Sequence, residues 1–442
     1  MTEAKRPRVA APPAPPLLVY HHGDTQLHDT ALPGVRHQEG ADRVSAIRAE
    51  LRGVELREVA MARPPRESLL TVHTEPYLAR LEELGRDGDD RVRPLTPLLL
   101  AGSGGEADTD APSMTNFSRG TLPAAMRAAA FVVKAIDATT AAARSAGGGS
   151  ERAFCLVRPP GHHATPVGLD ANAGGCGFCM LGNVAVGAAH AIRAHGHRVA
   201  IVDFDVHHGN GTEQVLAVLA ALAALAASGA DGGGAEAAEL CFCSLHLHEV
   251  FEDSDLDYFP GSGADAGGGG GGGVTIVYVP IRPLWSRFPS HYRDGDVPKD
   301  ASELMGRAGW MRGLRERVLP AVRAFRPTLL LLSAGFDGAA GDDGCVQRGE
   351  DNVDRAGLDL APEDFRSMTT ELLRAVEYED APAPAGEGGG GASSAAPVRC
   401  AVVSVLEGGY GCCDDREASG YDRSCLVRAC AAHVGALARV YM

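Results

Sequence analysis

Seven runs of apolar residues punctuate the chain, at Leu17 to Tyr20, Phe154 to Val157, Val199 to Phe204, Leu240 to Leu245, Val274 to Val279, Thr328 to Ser333 and Cys400 to Leu406. Short uninterrupted runs of this kind are the pattern of strands buried on both faces. Between them, apolar positions recur at helical spacing over Arg43 to Leu51, Ser68 to Leu84, Leu122 to Ala143, Val184 to Ala194, Leu304 to Phe325, Pro362 to Val376 and Cys425 to Val440. The alternation predicts a mostly parallel sheet covered by helices on both faces, a three-layer α/β/α domain.

Residues 1–16 form a Pro-rich leader, and the folded domain is expected over 17–442. Three low-complexity stretches interrupt the pattern, near 217–238, 267–273 and 381–396, and are expected to be surface inserts without packing information. Lengthening a surface loop costs little free energy, so they do not divide the domain. The Leu and Ala spacing after Ala217 also permits a helix ending at Gly229.

Lys and Arg total 41 against 57 Asp and Glu, a net charge of −16. That balance disfavours direct nucleic-acid binding and suits basic partners such as lysine-rich tails or polyamines. No segment is expected to span a membrane, and no secretory signal is evident, so the 11 cysteines are expected as reduced thiols in the nucleus and/or cytoplasm. Lys5, Arg6 and Arg8 suit a solvated tail or a short nuclear import signal.

Polar clusters recur where apolar runs end: Arg158 to His163, Asp203 to His207, Ser244 to His248, Asp337 and Tyr410. In an open parallel sheet the C-terminal edge is where sites form, so clusters spread over the chain converge on one rim. Within Asp203-Phe204-Asp205-Val206-His207, alternate residues share a side in extended chain and offer carboxylates and imidazole to a cation. Asp337 can add a further ligand, and three protein ligands leave a position open for water, as catalytic zinc requires. Leaving such a run buried without a cation would be costly. His162 and His163 follow the rigid Pro159-Pro160-Gly161 turn and can serve as a base and an electrostatic or acid partner. Tyr410, flanked by glycines, can donate to a developing oxyanion.

Together these motifs resemble the histone deacetylase family: Arg158 to His163, Gly177-Phe178-Cys179, Asp203 to Gly211, Phe259-Pro260-Gly261, Ser333 to Asp337 and Leu406 to Tyr410, in that family's order. Glu407 and Asn210 resemble its class II side. His37-Gln38-Glu39 with Arg43, and Val72 to Tyr77, are weaker matches. The resemblance implies an arginase/deacetylase-like fold with one Zn2+ on Asp205, His207 and Asp337. It implies His163 as general base supported by Asn210, His162 as its partner paired with Asp203, and Tyr410 polarising the amide carbonyl. Gly177, Phe178 and Phe259 would line a narrow acyl-lysine channel, and Asp110 (or Asp108) would grip the substrate backbone. A K+ ion is implied near Asp203, Asp205, His207, Ser244 and Leu245. The expected substrate is acetyl-lysine in histone tails or other proteins. A corepressor complex is compatible with the family, and the sequence carries no readable motif for one.

Gly344 stands where the family has a bulky rim residue, which predicts a wider mouth with no carboxylate beyond Asp342 or Asp343. Gly209 and Ala339 occupy positions where a two-manganese ureohydrolase needs carboxylates, which argues against that reading. Cys176 with Cys179 and Cys241 with Cys243 have zinc-like spacing but suit packing better. An acetylpolyamine deacetylase and a catalytically silent acyl-lysine scaffold are the other readings of the same pattern.

Overall fold

Leu329 to Leu332 are four consecutive, completely buried leucines, and they divide between two cores. Leu330 and Leu332 belong to one and Leu329 and Leu331 to the other, because successive strand side chains point to opposite faces. The computed structural model describes residues 17–32, 37–51, 56–58, 64, 66–101, 115–145, 151–170, 173–227, 239–248, 258–264, 273–287, 305–348, 354–378, 399–412 and 421–439. The leader, the stretch 381–396 and most of 267–273 lie outside them.

The central sheet has eight strands: β1 (Leu18–His21), β2 (Leu56–Glu58), β3 (Arg152–Cys155), β4 (Val199–Asp203), β5 (Leu240–Leu247), β6 (Val274–Ile281), β7 (Leu329–Ala334) and β8 (Ala401–Leu406). Their order is β2-β1-β3-β8-β7-β4-β5-β6, and every pairing is parallel. Antiparallel pairing occurs in two short ribbons, Arg93–Pro94 with Asn116–Phe117 and Val346–Arg348 with Asp354–Ala356.

One face is covered by α1 (Asp42–Glu50), α8 (Gly306–Gly313), α9 (Leu319–Phe325), α10 (Pro362–Ala375) and α11 (Ser424–Leu437). The other carries α5 (Thr121–Arg144), α6 (Asn183–His195) and α7 (Asn210–Ala227). The result is the expected three-layer α/β/α architecture. Among the described residues no helix is long and apolar enough to cross a membrane.

Three local readings change. The helix expected over Ser68 to Leu84 is two, Arg66–Leu70 (α2) and Glu75–Arg86 (α3), and a further short helix, Leu95–Ala101 (α4), follows them. Thr74 is extended, and Pro76, which has no N–H to give, sits in the first turn of the second helix. The stretch 217–238 is not wholly an insert: α7 runs through Ala227, and Ala220 is buried against the sheet together with Leu216 from the preceding turn. Strand β2 pairs at the sheet edge although Leu56-Arg57-Glu58 has no apolar run to announce it.

Candidate active site

The strand order β3-β8-β7-β4-β5 sets five C-terminal ends side by side, so the clusters after Cys155, Leu406, Ala334, Asp203 and Leu247 meet on one rim. The loop after β3 is held from both sides. Arg158 is fully buried, donating to Glu39 Oε1 at 2.6 Å and to the Thr25 carbonyl at 3.0 Å. Glu407, at the end of β8, accepts from the backbone N–H of Gly161 at 2.6 Å and of His162 at 3.2 Å. These grips aim two adjacent histidines at the rim.

Asp205 and His207 follow β4, and Asp337 follows β7. The Nδ1 of His207 lies 3.0 Å from Asp205 Oδ1 and 3.1 Å from Asp337 Oδ2. The ligand atoms of all three fall within 4.8 Å of one another. Burial and the neighbouring Asp205 push the Asp337 carboxyl up to about 6. Burial opposes charge on His207, but hydrogen bonding of its ring N–H to Asp205 and Asp337 raises it to about 9. Two buried carboxylates sharing one imidazole nitrogen demand a positive charge between them, and a divalent cation fits that donor set as well as a proton does. Asp203 does not join this group. Its Oδ2 lies 3.1 Å from Nδ1 of His162 instead.

The two histidines are driven apart in charge. Burial works against ionising His162, yet Asp205, Asp203 and Glu407 raise it to about 10. Burial together with the cations His162 and His207 holds His163 well below its ordinary value. A neighbouring acid and base with separated values is the arrangement acid–base catalysis needs. His163 Nδ1 meets Asn210 Oδ1 at 2.7 Å at the start of α7, and Asn210 donates in turn to Asp170 at 2.6 Å. Asp170, also bonded by Gln214 at 3.0 Å, was not singled out in the sequence because a lone aspartate in a loop carries no signal.

Tyr410 is buried and clamped. Its N–H and that of Gly411 donate to Asp342 Oδ2 at 2.8 and 2.7 Å, and Gly344 N–H donates to Asp342 Oδ1 at 2.9 Å. The Arg43 guanidinium lies 4.9 Å from the centre of its ring and donates to the Gly409 and Glu407 carbonyls. A cavity of about 350 Å³ opens beside these groups, lined by His163, His207, Phe178, Phe259 and Tyr410 among others. Phe178 packs edge-on to Tyr410, centroids 5.5 Å apart, and Phe259 packs edge-on to His163 at 4.9 Å. Gly177 has φ +47°, and a Cβ there would lie 2.3 Å from the His163 ring. Only glycine lets the backbone pass so close.

The expectation of a wider mouth at Gly344 is corrected. A Cβ at Gly344 would lie 2.5 Å from Asp337 Cβ and 3.0 Å from Tyr410 Cδ2, so the missing side chain admits the loop rather than opening a gap. Asp342 turns its carboxylate to backbone N–H groups, not to the mouth, while Asp343 lines the cavity. Ser244 pairs in register with Asp203, and Leu245 follows it, both buried. Asp110 lies outside the described residues. Cys241 and Cys243 face the core, and the ten cysteines described are free thiols.

A histone deacetylase domain model matches residues 37–406. The chain is similar to type-2 histone deacetylase 2 of Dictyostelium discoideum, 30% identical over 69% of this chain but only 14% of that protein. It is also similar to the histone deacetylase-like amidohydrolase of Pseudomonas aeruginosa, 28% identical over 70% of this chain and 60% of that one. The crystal structure of the HDA15 HD domain superposes with a TM-score of 0.63 over 96% of this chain and 90% of that chain, at 22% identity, which speaks for the fold. By the span of the domain match, this chain belongs to the histone deacetylase family.

Proposed function

We propose that the chain hydrolyses the acetyl amide of lysine side chains in histone tails or other proteins, with zinc held by Asp205, His207 and Asp337. The observation that carries this reading is that His207, grouped with Asp205 and Asp337, borders with His163 and Tyr410 one cavity walled by Phe178 and Phe259. When bound, zinc supplies Lewis-acid polarisation of the amide carbonyl. The aromatic walls hold the aliphatic stem of the substrate and exclude water around it. Asn210 accepts from Nδ1 of His163, which leaves Nε2 free to take the proton of the attacking water. Cationic His162, anchored by Asp203, offsets the charge that develops. The Tyr410 hydroxyl donates to the carbonyl oxygen as it becomes tetrahedral. Return of the proton from His163 to nitrogen releases the amine and acetate. Asp203, Ser244 in register with it, and Leu245, which follows Ser244, are the proposed seat of K+.

The test is turnover of an acetyl-lysine peptide by the purified chain, with Asp205→Ala and Tyr410→Phe variants, acetylspermidine as a second substrate and metal content measured throughout. Activity lost in both variants, in a parent holding zinc, is the expected result. Turnover of acetylspermidine alone would reassign the substrate to small polycations drawn by the net charge of −16. A parent that takes up no zinc would overturn the proposal.

A further inference from the structure

Helix α6 leads from the active-site rim back to the start of β4, so its last turn lies at the opposite edge of the sheet. There His190 and His195 of α6 face Asp137 of α5. Both Nε2 atoms lie on the same carboxylate oxygen, at 2.7 and 2.8 Å. The rings stand 5.4 Å apart at 83°, and the three ligand atoms lie within 4.8 Å of one another. The side chains are 19%, 20% and 40% exposed for His190, His195 and Asp137. Their surroundings are fixed. Arg144 of α5 donates to the His195 carbonyl at 2.8 Å, and His197 is held between Thr140 at 2.9 Å and Thr328 at 2.8 Å. The helix stops at Gly196 in the left-handed conformation, φ 64°.

We propose that Asp137, His190 and His195 form a second metal site, taking a divalent transition ion, zinc foremost. Two imidazoles and a carboxylate suit Zn2+, Cu2+ or Ni2+, whereas Mg2+ and Ca2+ seek all-oxygen shells. Each imidazole can turn its Nε2 lone pair to the ion while Nδ1 carries the proton, and the carboxylate that accepts two N–H groups becomes the third ligand. The exposed side leaves room for water to complete the shell. A bound ion would staple α5 to α6 and use no residue of the proposed catalytic centre.

The experiment strips the full chain with a chelator, titrates it with zinc chloride and desalts it. Bound zinc per chain and the thermal midpoint are then read for the parent, a His190→Gln/His195→Gln variant and the near-isosteric Asp137→Asn. The parent should retain one equivalent more zinc than either variant. Its midpoint should rise in zinc, and not in magnesium, by more than theirs. Peptide turnover should be the same in all three proteins. Equal zinc content in parent and variants overturns the proposal, and because the comparison is a difference, it stands whether or not the Asp205 site is filled.

Discussion

The Oδ1 of Asn210 lies 2.7 Å from Nδ1 of His163, and Asp170 dictates that orientation. Asp170 accepts at 2.6 Å from the Asn210 amide nitrogen, so the amide oxygen must face His163, and His163 must donate from Nδ1. Asn210→Asp would set two carboxylates against each other at the Asp170 contact. Asn210→Asp is therefore expected to lower kcat by about 10- to 100-fold with little change in KM, the usual cost of losing an orienting partner. Adding Asp170→Asn, which can donate to the new carboxylate, should recover most of the loss. A double-mutant cycle with no coupling between the two positions would sink the idea.

Asp342 acts on Tyr410 from behind. Its carboxylate gathers three backbone N–H groups at 2.7 to 2.9 Å, including that of Tyr410 itself. Removing a partner from a buried donor costs about 1–3 kcal/mol each. Asp342→Ala is expected to lose about 3 kcal/mol or more of stability, read by urea unfolding, and to lower kcat while zinc content holds. A variant as stable and active as the parent would show the clamp to be idle.

Gly344→Leu separates the two accounts of that position. If the glycine merely widened the mouth, a leucine would narrow it and alter substrate choice. The structure instead puts the new Cβ into Asp337 and Tyr410. Overpacking of this kind costs about 1–3 kcal/mol and moves its neighbours. The expected outcome is a drop of about tenfold or more in kcat/KM for every acyl peptide tested, since 1.36 kcal/mol is tenfold in rate. A mere change in acyl preference, with full activity retained on the best substrate, would restore the open-mouth reading.

What the sequence announced, and what it kept hidden, divides along physical lines. Long apolar runs such as Leu329 to Leu332 announce buried strands, and the residues after them announce the rim, because parallel strands all end on the same side. Asp205, His207 and Asp337 were legible for that reason. The pairing of Glu39 with Arg158 was not: they meet 119 positions apart in a fully buried ion pair, and no local pattern records such a partner. The orienting role of Asp170 depends on Asn210 being at the first turn of α7, a tertiary fact. Asp137 with His190 and His195 is likewise created by the packing of two helices. Edge strand β2 escaped notice because its stability comes from pairing with β1, not from its own composition.

Acid stability gives the last prediction, from His433 and His73. His433 is wholly buried, set between Thr369 Oγ1 at 2.6 Å and Ser404 Oγ at 2.8 Å and packed among Phe154, Phe204 and Phe336. Burial lowers it to about 3. His73 is lowered by burial to about 4, against backbone hydrogen bonds that raise it, and its Nε2 accepts from Gly182 N–H at 3.0 Å. Both are neutral in the fold and take up protons near 6.5 once unfolded, so the unfolded chain binds more protons in mild acid. Their contribution to stability is complete above pH 6.5 and is lost as pH falls from there toward 4. Each such histidine should remove about 1.4 kcal/mol per pH unit in that window. His433→Gln should lower stability at pH 7, because the ring's packing is lost, yet flatten the pH dependence between 6 and 4.5 by about that slope. Urea midpoints at several pH values measure both effects, and an unchanged slope in the variant would assign the acid sensitivity to other groups.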